Sequence, residues 1–193
     1  MRIISGKAGG TQLTVPPGRV IRPTSDRVKE ALFSALGDLR GWTVVDLFAG
    51  TGALGLEALS RGAETVIFVD NAPRAGRCIE QNLERVRRTL GAETTATVEI
   101  LRTDVARVTA RLPRYAGRLD LVLADPPYRP EPGAFGAAAL LLDRNFAAWA
   151  AGALLVLEHE TDTPLPWAPR SAWTCLELRR YGSRSIAFAR TSD

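Results

Sequence analysis

From Trp42 onward the chain alternates short, almost unbroken apolar runs with stretches of helical periodicity, and this alternation constrains the fold more than any other feature. The runs are Thr43 to Phe48, Thr65 to Val69, Thr97 to Leu101, Leu119 to Ala124 and Ala153 to Glu158. Between them lie a helical pattern around Leu54 to Arg61, a long one in which Ala75, Ile79, Leu83, Val86 and Leu90 share a face, a short one after Asp104, and one across Ala137 to Trp149. A strand that is apolar at every position must be covered on both faces. That requirement, with the βαβ order, predicts a parallel sheet flanked by helices and right-handed crossovers. The rhythm then changes: Trp173 to Arg180 and Ser185 to Ala189 are separated only by Tyr181 to Arg184, with Gly182 and Ser183 as turn residues. No helix fits there, so an antiparallel hairpin is expected. The fold class is a doubly wound α/β domain with a mostly parallel seven-stranded sheet, Rossmann-like, and an antiparallel C-terminal hairpin.

The region before this rhythm is of a different kind. Ile3 and Ile4 precede Gly9 and Gly10, and Leu13 and Val15 follow them, which predicts a small N-terminal β-hairpin extension. Pro16, Pro17 and Gly18 break regular structure, and Val28, Ala31, Leu32, Ala35 and Leu36 then fall on one helical face, with Thr24 or Ser25 as N-cap. The division expected is an arm over residues 1–20 and a catalytic domain over 21–193, since 193 residues suit one core. Residues 1–30 hold six basic and two acidic side chains, a local excess equal to the net +4 of the whole chain. Such an arm can hold a phosphate backbone by releasing counterions. Arg2, Lys7, Arg22, Thr24 and Arg27 are the candidate nucleic-acid contacts, although a solvated basic arm looks the same. Cys78 and Cys175 are too few and too far apart for a disulfide framework or a metal cluster. With no apolar run of membrane-spanning length and no signal-peptide pattern, a cytoplasmic protein without membrane contact is expected.

The chemistry concentrates where strands end. The strand reaching Phe48 runs into Ala49-Gly50-Thr51-Gly52-Ala53-Leu54-Gly55, a glycine-rich turn that lets backbone approach a ligand at the carboxyl edge of the sheet. Gly50, Gly52 and Gly55 satisfy G-x-G-x-x-G, which dinucleotide enzymes also use. Asp70 ends the next strand, where a carboxylate can accept both hydroxyls of a ribose, as suits any adenosyl cofactor. Asp46 lies inside the first strand. A buried carboxylate needs a partner, and two fit it: a cationic sulfonium-bearing amino acid in a cofactor pocket, or the amides of the loop. The fourth strand ends in Ala124-Asp125-Pro126-Pro127-Tyr128, the most specific signal in the chain. An exocyclic amino group on a base has its lone pair drawn into the ring, so holding it in the right geometry is the main lever on its reactivity. The Asp125 carboxylate and the Pro126 carbonyl can each accept one N–H, Pro126 and Pro127 fix the backbone that aims them, and Tyr128 can stack on the base.

Taken together these segments resemble the RsmD-type 16S ribosomal RNA guanine-N2 methyltransferases of bacteria, within the class I methyltransferase superfamily. The resemblance runs through Met1 to Gly6, Arg22-Pro23-Thr24 with Asp26 to Phe33, Asp46 to Ala63, and Asp125 to Tyr128. It implies that Gly50, Gly52 and Asp70 bind S-adenosylmethionine, that Asp104 contacts the adenine, and that Asp125 to Tyr128 hold the guanine, with Asp125 also beside the cofactor. Asp46, Phe48, Ala49, Asn71 and Val105 are counted in the same cofactor site. The implied partner is 16S rRNA in the small ribosomal subunit or an assembly intermediate, with ribosomal proteins to present it and the enzyme as a monomer. In-line displacement at the sulfonium needs no metal.

Three alternatives stay open at this point. A DNA or RNA adenine-N6 methyltransferase would use the same Asp-Pro-Pro-Tyr segment. A nicotinamide-dependent oxidoreductase would use Gly50, Gly52, Gly55 and Asp70 but leaves that segment idle, and a non-catalytic RNA-binding module leaves the glycine loop idle. His159, the only histidine, has no task in methyl transfer. Trp149, Trp167 and Trp173 read as core or lid packing, and Cys78 as packing. Arg179, Arg180 and Arg184 read either as a second phosphate-binding patch or as the exposed face of the hairpin.

Overall fold

The computed structural model describes residues 1–15, 26–91, 95–128 and 134–192. The described strands number seven and are mostly parallel, and the chain divides into two compact units, Met1–Arg102 and Thr103–Asp193.

The first unit runs α1 (Asp26–Leu36), β1 (Thr43–Leu47), α2 (Ala53–Ser60), β2 (Thr65–Asp70), α3 (Pro73–Leu90) and β3 (Thr97–Arg102). The strands β1, β2 and β3 pair in parallel, with Thr43 opposite Thr65 and Thr65 opposite Thr97. Val44, Val45 and Leu47 on β1 and Val66 to Val69 on β2 are all buried, as their unbroken apolar pattern requires. On α3 the expected stripe Ala75, Ile79, Leu83 and Val86 is buried, Pro73 opens the helix, and Gly91 ends it at φ 81°. Helix α1 differs from expectation. Its buried residues are Val28, Lys29, Leu32 and Phe33, whereas Ala35 is exposed. Lys29 is drawn inward because its ammonium donates to the Arg2 carbonyl and pairs with Asp26 at 3.6 Å, while the Arg61 guanidinium lies 5.1 Å over the Phe33 ring. The proposed N-caps Thr24 and Ser25 lie outside the described residues.

In place of the expected N-terminal hairpin, the described residues 1–15 carry a single antiparallel bridge between Arg2 and Gln12, with Ile3 N–H donating to the Thr11 carbonyl at 3.0 Å. What holds them is side chains from the helices. Glu57, fully buried on α2, accepts the Ile4 and Ser5 N–H groups at 2.7 and 3.0 Å. Ser60 accepts the Ala8 N–H through its hydroxyl oxygen at 2.9 Å. Asn82, buried on α3, accepts the Thr14 N–H at 2.7 Å and donates to the Thr14 carbonyl at 3.1 Å.

The second unit runs through a 3-10 turn (Val105–Arg107) into α4 (Val108–Arg111), then a second 3-10 turn (Pro113–Tyr115), β4 (Leu121–Ala124), α5 (Ala137–Leu142), α6 (Arg144–Trp149), β5 (Leu154–Glu160), β6 (Trp173–Tyr181) and β7 (Arg184–Thr191). The strands β4 and β5 are parallel, and β7 pairs antiparallel with both β5 and β6. The single helix expected over Ala137 to Trp149 is two. Asp143 takes an extended conformation between them and its carboxylate caps α6, accepting the Asn145 and Phe146 N–H groups at 2.8 and 3.1 Å. An aspartate that can bond backbone amides outside a helix favours a cap over a helix interior. Trp149 and Trp173 are buried, with ring centroids 6.0 and 5.8 Å from Phe146. Trp149 and Trp173 are therefore packing groups.

Candidate active site

In the first unit the glycine loop leaves β1 under strain. Phe48, Gly50 and Gly52 all have left-handed φ values of 57°, 57° and 77°. For Phe48, which carries a Cβ, that conformation costs about 1–3 kcal/mol, a cost that persists only where surroundings enforce it and that concentrates at ligand sites. The enforcing bonds are present. Ala49 N–H donates to the Val69 carbonyl at 3.1 Å, Gly52 N–H to the Ala49 carbonyl at 2.7 Å, and Gly50 N–H to Asp70 Oδ2 at 2.8 Å. The other Asp70 oxygen accepts the Ala72 N–H at 2.8 Å. Asp70 thus clamps the loop to the end of β2. An ionised carboxylate offers about four lone-pair sites, so each Asp70 oxygen keeps acceptor capacity for a hydroxyl. Asn71 beside it is exposed.

Asp46 is buried and its Oδ2 accepts the Gly55 N–H at 2.8 Å, the loop-capping role that was one of its two readings. Gly55 is needed for a second reason. A Cβ there would overlap Phe68 Cε1 and sit 2.9 Å from Cζ, so the first turn of α2 packs directly on the β2 aromatic. Asn82 also reaches this loop, donating to the Thr51 carbonyl at 2.9 Å. Sequence reasoning missed Asn82. The available signal was a polar residue set within the apolar face of α3, beside Ile79 and Leu83, since buried polar groups are retained where they are bonded.

In the second unit Asp104 caps the first 3-10 turn, its Oδ1 accepting the Ala106 N–H at 2.9 Å, and Val105 is buried. Strand β4 is buried at every position and delivers Asp125 at its end, followed by a buried Pro126, an exposed Pro127 and a half-buried Tyr128. The Tyr128 hydroxyl donates to Glu158 Oε1 at 2.6 Å. Arg184 donates to the same oxygen at 2.9 Å, with its guanidinium carbon 5.9 Å from the Tyr128 ring centroid. Burial, and then the negative charge of Glu158, push the phenol well above its ordinary range, so it stays protonated. Arg184 is therefore not part of an exposed hairpin face: its side chain is 13 % exposed and paired with Glu158. Arg179 pairs with Glu177 and lies over Phe188, while Arg180 is exposed. His159 is buried within β5; its Nδ1 faces the Glu160 carbonyl and its Nε2 has no partner among the described residues.

Of the candidate RNA contacts, Lys7 and Arg27 are exposed, Arg2 is exposed but paired with Asp26 at 3.1 Å, and Arg22 and Thr24 lie outside the described residues. No described helix is long and apolar enough to cross a membrane.

A family model described as conserved hypothetical protein 95, that of the RsmD family, matches residues 1–190. The chain belongs to this family. Two relatives are each called ribosomal RNA small subunit methyltransferase D. The one from Haemophilus influenzae is 33% identical over 183 residues, 94% of this chain and 89% of its own. The one from Escherichia coli is 34% identical over 171 residues, 88% of this chain and 79% of its own. Among solved structures, a hypothetical protein from Thermus thermophilus, TTHA0928, superposes with a TM-score of 0.76 at 30% identity, covering 99% of both chains. The fold is shared more widely: the SMU.776 structure, complexed with SAH, gives a TM-score of 0.65 at 16% identity over 86% of this chain and 49% of that one.

Proposed function

We propose that this RsmD-family chain transfers a methyl group from S-adenosylmethionine to ribosomal RNA of the small subunit, and that the acceptor is the exocyclic N2 of a guanine. The observation that carries this reading is the Asp125-Pro126-Pro127-Tyr128 segment, delivered by the fully buried β4 and ending in a tyrosine whose hydroxyl is held by Glu158. The naming of the relatives supports ribosomal RNA as the substrate class. The strained glycine loop and the spare acceptor capacity of Asp70 fit an adenosyl cofactor, whose sulfonium supplies an electrophilic methyl group.

In this reading Gly50, Gly52 and Asp70 hold the cofactor, with Asp46, Phe48, Ala49 and Asn71 lining the same loop and strand ends, and Asp104 and Val105 contacting the adenine. Asp125 and the Pro126 carbonyl each accept one N–H of the guanine amino group and turn its lone pair toward the methyl. The amine becomes strongly acidic only as the new bond forms, so Asp125 acts mainly by orientation and charge and passes the proton to water late. Tyr128 stacks on the base. Arg2, Lys7, Arg22, Thr24 and Arg27 hold the RNA backbone, and the Arg2–Asp26 pair is exposed enough to exchange for a phosphate. The enzyme works as a monomer in the cytoplasm, where small subunits assemble.

The test is single-turnover methyl transfer to isolated small subunits by Asp125→Asn and Asp125→Ala, with cofactor affinity as control. Asparagine keeps an acceptor and loses the charge, so its rate is expected to fall while affinity holds, and alanine to fall further. Terms of this kind are commonly worth about a hundredfold to a thousandfold. Full activity in Asp125→Ala would refute the reading, and methylation of DNA or of adenine would move the chain to another acceptor class.

A further inference from the structure

Glu158 and Arg184 touch neither cofactor nor acceptor in the proposed reaction, yet together they contact the residue assigned to the base. We infer that they are positioning residues that fix the plane of the Tyr128 ring so that it can receive the target base; this rests on the base-stacking role proposed for Tyr128. The geometry is specific. Arg184 on β7 stands opposite Glu160 on β5, with Glu158 only a diagonal neighbour on the same face. Arg184 nevertheless bonds Glu158, where it meets the Tyr128 hydroxyl on a single oxygen, Oε1.

Burial makes this choice costly. Glu158 is 4 % exposed, and removing a carboxylate and a guanidinium from water is offset only by close, well-formed bonds. Apolar residues at these positions would hold the hairpin as well, so stability alone does not account for the pair. A tyrosine does. Rotation of an aromatic ring about its last torsion is broad and poorly determined, and a half-buried ring that must stack on an incoming base loses rate for every orientation it samples. The phenolic O–H is conjugated with the ring and prefers to lie in the ring plane, so an acceptor fixed 2.6 Å from the oxygen, and held in turn by Arg184, favours one plane and restrains that freedom before the RNA arrives. Arg184 also lies toward the ring face, where a cation is favoured.

The experiment uses the full chain, small subunits as acceptor, and the variants Tyr128→Phe, Glu158→Gln, their double variant, and Tyr128→Ala. Two readouts are taken. The first is carbon-13 NMR of ring-labelled tyrosine, which has only three residues to resolve, Tyr115, Tyr128 and Tyr181. In the unaltered protein the Tyr128 phenol is expected to stay protonated beyond the range in which an ordinary phenol ionises, and Glu158→Gln to bring its titration down. The second is single-turnover rate against cofactor affinity. Tyr128→Phe and Glu158→Gln are each expected to slow methyl transfer by about tenfold, the worth of one hydrogen bond to a charged group. Cofactor affinity stays unchanged, and the double variant is no slower than Tyr128→Phe alone. An unshifted Tyr128 resonance in Glu158→Gln, or losses that multiply in the double variant, would overturn the inference. If Tyr128→Ala is impaired while Tyr128→Phe and Glu158→Gln are not, the positioning role alone falls. If Tyr128→Ala is itself fully active, the stacking role of Tyr128 falls first and takes the inference with it.

Discussion

Replacing Asp70 with asparagine changes one atom and should separate the two tasks of this side chain. In the native protein Oδ2 accepts the Gly50 N–H and Oδ1 accepts the Ala72 N–H, both at 2.8 Å. Asparagine has one acceptor, so whichever way its amide turns, an NH2 group faces a backbone N–H. One bond to a charged acceptor is lost, worth about 1.5–3 kcal/mol. If the amide oxygen stays on Ala72, the loss falls on Gly50, and the left-handed turn at Phe48 and Gly50 loses a bond that enforces it. Cofactor binding must then restore the loop from its own free energy, and at about 1.4 kcal/mol per tenfold the affinity for S-adenosylmethionine should weaken by roughly 10- to 150-fold. Asp70→Ala, which loses both bonds and the acceptor proposed for the ribose, should weaken it further. Calorimetric titration with S-adenosylhomocysteine, paired with thermal unfolding of the free protein, measures the two contributions. Native affinity in Asp70→Asn would refute the argument that this carboxylate shapes the loop for its ligand.

Two further outcomes follow from packing and from burial. Gly55→Ala gains helix propensity of up to about 1 kcal/mol, but its methyl group is driven into the buried Phe68 ring. Overpacking typically costs about 1–3 kcal/mol. The melting temperature should therefore fall, and a melting temperature equal to or above the native one would show that Phe68 yields. His159 is pushed below its ordinary 6.5 mainly by desolvation, against the opposing pull of the Glu160 carbonyl and Glu158. The folded state thus binds the proton less readily than the unfolded chain. The difference leaves stability untouched well above pH 6.5 and erodes it as the pH falls through that value. In urea unfolding between about pH 8 and 5, His159→Gln should lose that part of the pH dependence, and parallel curves for the two proteins would contradict it.

The architecture was legible because most strands are nearly unbroken apolar runs: Val44 to Leu47, Val66 to Val69 and Leu121 to Ala124 read as doubly covered strands and every residue in them is buried, Asp46 through its bond to Gly55, whereas β3, which carries Glu99, is only partly buried. The site was legible where a turn had to carry special backbone, at Gly50 and Gly52, or an unusual dipeptide, at Pro126 and Pro127. What stayed hidden was polar and long-range. Lys29 is not on the apolar face that the spacing of α1 defines, yet it is buried and its ammonium donates to the Arg2 carbonyl. Asp143 lies inside a helical pattern and ends one helix to cap the next. Glu158 and Arg184 are 26 residues apart, and nothing local marks them as partners. Periodicity records which side of an element faces the core, whereas these residues are defined by one partner brought close by the fold.

The attachment of the N-terminal residues has a consequence for the order in which the chain can fold as it is made. Ile4 waits for Glu57, and Thr14 for Asn82, separations of 53 and 68 residues. At about 5–20 residues per second, the interval between the synthesis of Thr14 and that of its anchor is roughly 3–14 s. Ile4 can dock once Glu57 has been made, but Thr14 has nothing to hold it until the interval ends. Because Asn82 takes hold of Thr14 and of the Thr51 carbonyl with one amide, the moment that ends the wait also draws in the glycine loop. The bonds that complete the glycine loop and those that hold Thr14 therefore form together.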